Sequence, residues 1–284
     1  VMTRKLWNMA TALEKPKVFV ITKMDHGRAK YDVVLEQLRE VFGKAVAPLF
    51  LPIGAGTDFK GVINLLDDIH NCPPELEARA NELHARLVET AVSADDKVME
   101  RYLADEKIPH EEIARCFTKG ILSGTVVPVM CVSAEKDIGL KEMMQAIVEE
   151  APSPLDEPLH LHRKAAGKPG GVEEKIIQPS VDGPLYAQIF KSKRDAFIGK
   201  IAYLRVYSGS LPAGGIAKST SALKPDKFAH FMRVQGKELQ EQEGVVCGDI
   251  VAVAKNDNLN FGDTLTTDES GWHIPLIPLP VPMQ

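Results

Sequence analysis

Residues 17–25 read KVFVITKMD. Val18, Phe19, Val20 and Ile21 form a short apolar run, three of the four β-branched, as in a strand covered on both faces. Thr22, Lys23, Met24 and Asp25 close it. Beyond them Tyr31, Val34, Leu35, Leu38, Val41 and Phe42 recur at helical spacing, and Gly43 suits the C-cap. The pattern is strand, tetrapeptide, helix. It puts Asp25 at the carboxyl end of a buried strand, where open α/β sheets bind their ligands.

Working outward, residues 45–52 and 126–132 (VVPVMCV) give two more buried-strand patterns. Leu140, Met143, Met144, Ile147 and Val148 mark another amphipathic helix. Such alternation predicts an α/β domain with a mostly parallel sheet, from residues 1–53 and 126–151. Residues 54–125 interrupt it. Helical patterns at 75–92, 95–103 and 109–120, the last with a proline at its start, predict a mainly helical insertion. Residues 152–183 are rich in proline and glycine and read as a linker. From 184 to 268 short strand patterns at 185–190, 199–207, 216–219, 229–234 and 250–254 alternate with Gly, Pro, Asp and Asn, which predicts a small all-β barrel. Residues 269–284, with Pro275, Pro278, Pro280 and Pro282, read as an extended connector.

The 284 residues carry 44% apolar and 26% charged side chains, which excludes whole-chain disorder and fibrous repeats. The longest apolar stretches, 45–53 and 274–283, fall short of a membrane span, so no membrane partner is expected. Net charge is −5. It all lies in residues 1–152, because residues 153–284 balance to zero. Neither half is basic enough to indicate a DNA binder. Cys72, Cys116, Cys131 and Cys247 form no CxxC pair and are read as buried free thiols of a reducing, cytoplasmic compartment.

The chemistry centres on Asp25. A carboxylate at a strand end can accept two hydrogen bonds from one planar donor face. Guanine offers such a face, N1–H beside the 2-amino group, and adenine does not. The Lys23 stem can lie along a base. Taken alone, TKMD reads rather as a helix-capping aspartate beside a solvated lysine. A second strand end adds weight to the base-binding reading. Residues 126–132 run into Ser133 and Ala134, where a small side chain lets a backbone N–H approach a base carbonyl.

At this point the chain resembles the translational GTPases, most closely elongation factor G and its paralogues. The likeness rests on ITKMD (21–25), LPIG (51–54), GVINLLDD (61–68), VSA (132–134), SPLD (153–156), GPL (183–185), GKIAYLRVYSGSL (199–211), GD (248–249) and GDTL (262–265). It implies the C-terminal half of a P-loop G domain with its insertion, followed by β-barrel domain II. By position, Asp25 would pair with the guanine edge and Lys23 would pack on the base. Thr22 stands where the family usually has Asn, and its hydroxyl can keep one loop-bracing hydrogen bond. Ser133 and Ala134 would sit at the guanine carbonyl, with the Ala134 N–H as donor. The parent protein would be a ribosome-associated GTPase using GTP or GDP and Mg²⁺, with ribosomal RNA and proteins as partners.

No G-x-x-x-x-G-K-[ST] occurs in the chain. That loop would hold the phosphates. Two D-x-x-G strings, beginning at Asp58 and Asp268, follow TKMD rather than precede it and are read as accidental. The resemblance therefore implies a piece that begins inside a G domain and ends before a third domain. On its own it should be catalytically inactive and bind no nucleotide tightly. The alternative is a non-catalytic module that binds the ribosome or RNA and has lost nucleotide chemistry. Among lesser candidates, His160-x-His162 lacks a third donor nearby in sequence, so no metal is expected. Met2, Leu6, Met9, Ala10 and Leu13 read as the core stripe of a helix. Lys191, Lys193 and Arg194 read as solvated surface, or as a phosphate contact if the barrel faces ribosomal RNA.

Overall fold

The computed structural model describes residues 2–67, 69–165, 170–196, 198–236 and 238–276. They fall into two compact units, Val1–Pro152 and Ser153–Gln284. In chain order the first unit comprises α1 (Met2–Ala12), β1 (Phe19–Ile21), α2 (Tyr31–Phe42), β2 (Val46–Pro48), β3 (Phe50–Ile53), β4 (Gly61–Asn64), α3 (Glu77–Val92), α4 (Asp96–Leu103), α5 (His110–Ser123), β5 (Val127–Cys131) and α6 (Leu140–Glu150).

Strands β1, β5 and β2 form a parallel sheet with β5 in the centre. Every residue of β5 is buried, but β1, read from an equally continuous apolar run as covered on both faces, is not: Phe19 and Ile21 are half-buried and Val18 and Val20 exposed, because β1 ends the described sheet and β5 lies inside it. Ile21 pairs with Cys131, so β1 and β5 end side by side. The apolar run at 45–52 is not one strand. It divides at Leu49 into β2, which joins the parallel sheet, and β3, which leaves it to pair antiparallel with β4. A buried apolar run fixes burial but not the sheet to which each residue belongs. The insertion therefore carries a β-hairpin ahead of its helices.

Helices α3 and α5 bury the stripe Ala80, Leu83, Leu87 and Ala91 against the Phe117 and Ile121 side. Each fully buried Leu or Phe contributes about 1.5–3 kcal/mol. Helix α4 begins at Asp95, whose carboxylate accepts the Lys97 N–H at 3.2 Å. A smaller cluster of Val88, Val92, Val98, Ile108 and Cys116 ties α4 to its neighbours.

The α1 stripe is not core. Met2, Leu6, Met9 and Leu13 are exposed and the helix has no buried residue. It is held instead through Trp7, stacked on Phe19 at 5.5 Å and tilted on Phe42 at 4.7 Å. Met144, Ile147 and Val148 of α6 are likewise exposed, while Ala146 is buried and Met143 packs against the core. Helical spacing tells which residues share a face, not whether anything covers it. Of the cysteines, Cys116 and Cys131 are buried, whereas Cys72 and Cys247 are partly exposed; all four are free thiols.

The second unit comprises β6 (Leu159–Lys164), β7 (Val172–Ile177), β8 (Tyr186–Asp195), β9 (Gly199–Ser208), β10 (Ser210–Pro212), β11 (Gly215–Ser219), β12 (Asp226–Phe228), β13 (Phe231–Gln235), β14 (Glu238–Gln242), β15 (Gly244–Val246), β16 (Ile250–Ala254) and β17 (Thr264–Thr266). Eight of these form one antiparallel sheet, in the order β12-β11-β17-β8-β9-β16-β13-β14. Register shifts in β8 at Tyr186/Ala187 and Ile189/Lys191 bend it. The sheet curls as a half-barrel around Leu185, Ile189, Leu204, Phe228, Phe231 and Val251.

Within the stretch read as linker, β6 and β7 form a hairpin. Its Leu159 and Leu161 pack with Tyr186 and Ile274. The segment read as a connector begins with ordered contacts too, since His273 pairs with His162 through two backbone hydrogen bonds. Residues 277–284 of that segment lie outside the described residues, as do 166–169 of the proline- and glycine-rich stretch.

Candidate functional site

Two loops leave the same edge of the parallel sheet, residues 22–27 after β1 and 133–139 after β5. Their anchor is Met24. Its side chain is 1% exposed, and its N–H donates to the Val132 carbonyl at 3.2 Å, extending the pairing of the two strands past their ends. Lys23 takes a left-handed backbone conformation, φ 60°, which turns the chain sharply between strand and loop. The Lys23 and Thr22 side chains are exposed, and Asp25 is half-buried.

Ser133 is fully buried, and its Oγ donates to Asp25 Oδ1 at 2.5 Å. The Lys136 N–H donates to the same Oγ at 3.2 Å. Ser133 and Ile138 exchange backbone hydrogen bonds at 2.9 and 3.0 Å and close the second loop. Ala134 sits exposed at its start. The Ser133 hydroxyl holds the Asp25 carboxyl below the usual carboxylate range, with the Lys136 and His26 charges adding smaller effects in the same direction. The carboxylate keeps acceptor capacity on Oδ2 for a ligand.

The structure thus brings together Asp25, Ser133 and Ala134 from opposite ends of the first unit, with Lys23 at the rim. Sequence reading missed the third wall. The Asp58 string lies in the turn of the β3–β4 hairpin. The neighbouring Gly56 donates its N–H to the Met24 carbonyl at 3.1 Å. The LPIG run followed by a second glycine two residues on is the one sequence signal for that turn.

Other candidates lie apart from this edge. The third histidine missing near His160 and His162 in sequence arrives as His273. Even so, among the described residues no three His, Cys, Asp or Glu side chains converge to hold a metal. Lys191, Lys193 and Arg194 are exposed on β8, with the Lys191 ammonium 5.2 Å from the Tyr203 ring centre. Among the described residues no helix is long and apolar enough to cross a membrane.

Residues 1–153 match the family model described as elongation factor Tu GTP binding domain, and residues 184–268 match elongation factor G domain 2. Elongation factor G of Mycoplasma pneumoniae is 30% identical over 281 residues, covering 94% of this chain and 40% of that protein. Elongation factor G of Ureaplasma urealyticum is 29% identical with the same coverage. A crystal structure of a Thermus thermophilus protein superposes with a TM-score of 0.82 at 28% identity, over 99% of this chain and 41% of its own. The chain spans about two-fifths of the length of these relatives. The chain belongs to the family of the elongation factor Tu GTP binding domain, whose model covers more than half of it, and it continues into an elongation factor G domain 2.

Proposed function

We propose that this chain carries the guanine-recognition edge and domain II of a ribosome-associated translational GTPase working in the cytoplasm. The observation that supports this best is the 2.5 Å hydrogen bond from Ser133 to Asp25, which joins two loops 108 residues apart into one recognition edge. In this reading Asp25 accepts the N1–H and 2-amino group of guanine. The Lys23 stem lies along the base, Thr22 starts the loop, and the Ala134 N–H donates to the base carbonyl. Ser133 orients the carboxylate and keeps it ionised.

The residues present fit the base of GTP or GDP: a half-buried carboxylate with acceptor positions to spare beside an exposed small residue. Among the described residues no comparable set converges for Mg²⁺, and the sequence contains no G-x-x-x-x-G-K-[ST]. The chain alone should hold nucleotide weakly. In the longer protein the nucleotide supplies the bond that is hydrolysed, and these residues decide which base is accepted. The partners that follow are ribosomal RNA and proteins, with neither membrane nor DNA.

The test is Asp25→Asn in the full-length protein, with GDP and xanthosine diphosphate affinities measured by calorimetry. Asn keeps one acceptor and replaces the other by a donor, so one hydrogen bond to a charged acceptor is lost, at about 1.5–3 kcal/mol, which should weaken GDP by about 10–100-fold. Xanthosine diphosphate should gain, because its 2-oxo group accepts where the amino group donated. An unchanged base preference would remove Asp25 from the pocket. Binding of neither nucleotide would favour the second reading, a ribosome- or RNA-binding module without nucleotide chemistry.

A further inference from the structure

Resting on that reading of the base edge, we infer that the β3–β4 hairpin is a positioning element for guanine recognition. It buttresses both base-facing loops and sets the spacing between Asp25 and Ala134. Four contacts carry this, two on each loop.

On the first loop, the Gly56 N–H donates to the Met24 carbonyl at 3.1 Å. Met24 thereby donates to the end of β5 and accepts from the hairpin turn through one residue, immediately before Asp25. Gly56 also lies against the loop itself. A Cβ built on it would stand 3.3 Å from Gly27 Cα and 3.4 Å from the His26 carbonyl oxygen, and its φ is +60°. Both the close approach and the left-handed backbone call for glycine here.

On the second loop, Lys136 Nζ donates to the Thr57 carbonyl at 3.3 Å, while the Lys136 N–H holds Ser133 Oγ. At its far end Gly139 is seated on β4. A Cβ there would lie 3.3 Å from Val62 Cγ1 and 3.0 Å from the Cys131 carbonyl oxygen, again at positive φ, +78°. Between these contacts Phe59, Ile53 and Val62 belong to the same apolar cluster as Met24 and Ile138.

The hairpin thus touches the loop before and after Asp25 and the loop after Ser133 and Ala134. A shift of its turn moves one loop against the other, and two-point recognition of a planar base depends on that spacing. Gly56, Val62 and Lys136 act through Asp25, Ser133 and Ala134. They are positioning residues, and the insertion becomes part of what reads the base.

The test uses the full-length protein and two nucleotides, GDP and inosine diphosphate, which lacks the 2-amino group. The quantity read is the ratio of their affinities. Gly56→Ala should lower the GDP preference about tenfold, the scale of one weakened hydrogen bond to a carboxylate, with inosine diphosphate binding changed less than about twofold. Lys136→Met, at an exposed side chain that leaves the core intact, should lower the preference about two- to threefold and decides the matter if Gly56→Ala fails to fold. Asp25→Asn in the same assay separates the two levels. If it leaves the ratio unchanged, the base-edge reading itself fails. If it collapses the ratio while the Lys136 variant and a folded Gly56 variant keep it, the hairpin has no positioning role. Equal losses for both nucleotides would also overturn the inference, since they would mean general loosening.

Discussion

Replacing Glu150 with Gln should make the first unit more stable at pH 8 and leave it nearly unchanged at pH 5. Glu150 ends α6 and is 5% exposed. Its Oε1 accepts from Asn64 Nδ2 at 2.8 Å, while Oε2 has no partner. The same Asn64 amide donates to Asp67 Oδ2 at 2.9 Å, and Asp67 Oδ1 lies 2.9 Å from His110 Nε2. Burial pushes the Glu150 carboxyl up from 4.5 to about 7. The negative charges of Asp67 and Glu149 add to this, and the Asn64 hydrogen bond opposes it. Below about pH 4.5 the group is protonated in both folded and unfolded chains and favours neither. Between 4.5 and 7 the unfolded chain releases the proton and the folded one keeps it, so stability falls as pH rises. Above 7 the loss is complete, at about 3 kcal/mol for a shift of this size. Gln keeps the Oε1 acceptor for Asn64, offers Asp67 a donor and carries no charge. Urea unfolding of wild type and Glu150→Gln, followed by Trp7 fluorescence in a Trp272→Phe background, should show the variant about 2–3 kcal/mol more stable at pH 8. That difference should shrink below about 1 kcal/mol at pH 5. A pH-independent difference, or a variant weaker at pH 8, would refute the assignment of a raised pKa to this carboxyl.

Two further outcomes are expected. Asp263→Ala should destabilise the second unit by about 2–3 kcal/mol, read as a lower melting temperature by Trp272 fluorescence. Its carboxylate accepts from the Ser219, Thr220 and Ser221 hydroxyls and from the Asn260 N–H, and Ser219 is buried. The purified chain should release no phosphate from GTP above a protein-free blank; clear Mg²⁺-dependent turnover would show phosphate-handling groups that the motif search of its sequence does not reveal.

Much of the α/β frame was legible because its elements carry their own signals. Residues 126–132 are apolar throughout and become the central strand. The Tyr31–Phe42 spacing becomes α2, with Arg39 accepting the Gly43 N–H at its carbonyl. Asp95 announces α4 with its capping carboxylate. Three of the misread features share one cause, the want of information about a partner. Leu49 looks like mid-strand, yet the chain changes sheets there, because its neighbours on both sides are equally apolar. Leu6 and Met9 share a helical face that lies exposed. Strands β6 and β7 sit among prolines and glycines, and what holds them is a cluster with Tyr186 and Ile274, far along the chain.

The site divides along the same line. Asp25 and Ser133 are 108 residues apart, yet the sequence reading names both, because each follows the end of a recognisable strand pattern and carries a polar side chain there. Gly56 stands closer to Asp25 in sequence and escaped notice. Its contribution is a backbone N–H and the absence of a side chain, and neither has a chemical signature until Gly27 is seen packed close enough to crowd a Cβ there. The same holds for Gly139 and Val62. Recognition groups can be read from sequence when they are side chains at the ends of regular elements. The residues that hold them in place act through shape and main chain, so mutations that alter base discrimination without touching the base should include Gly56 and Val62 on the hairpin and Lys136 and Gly139 where the second loop meets it.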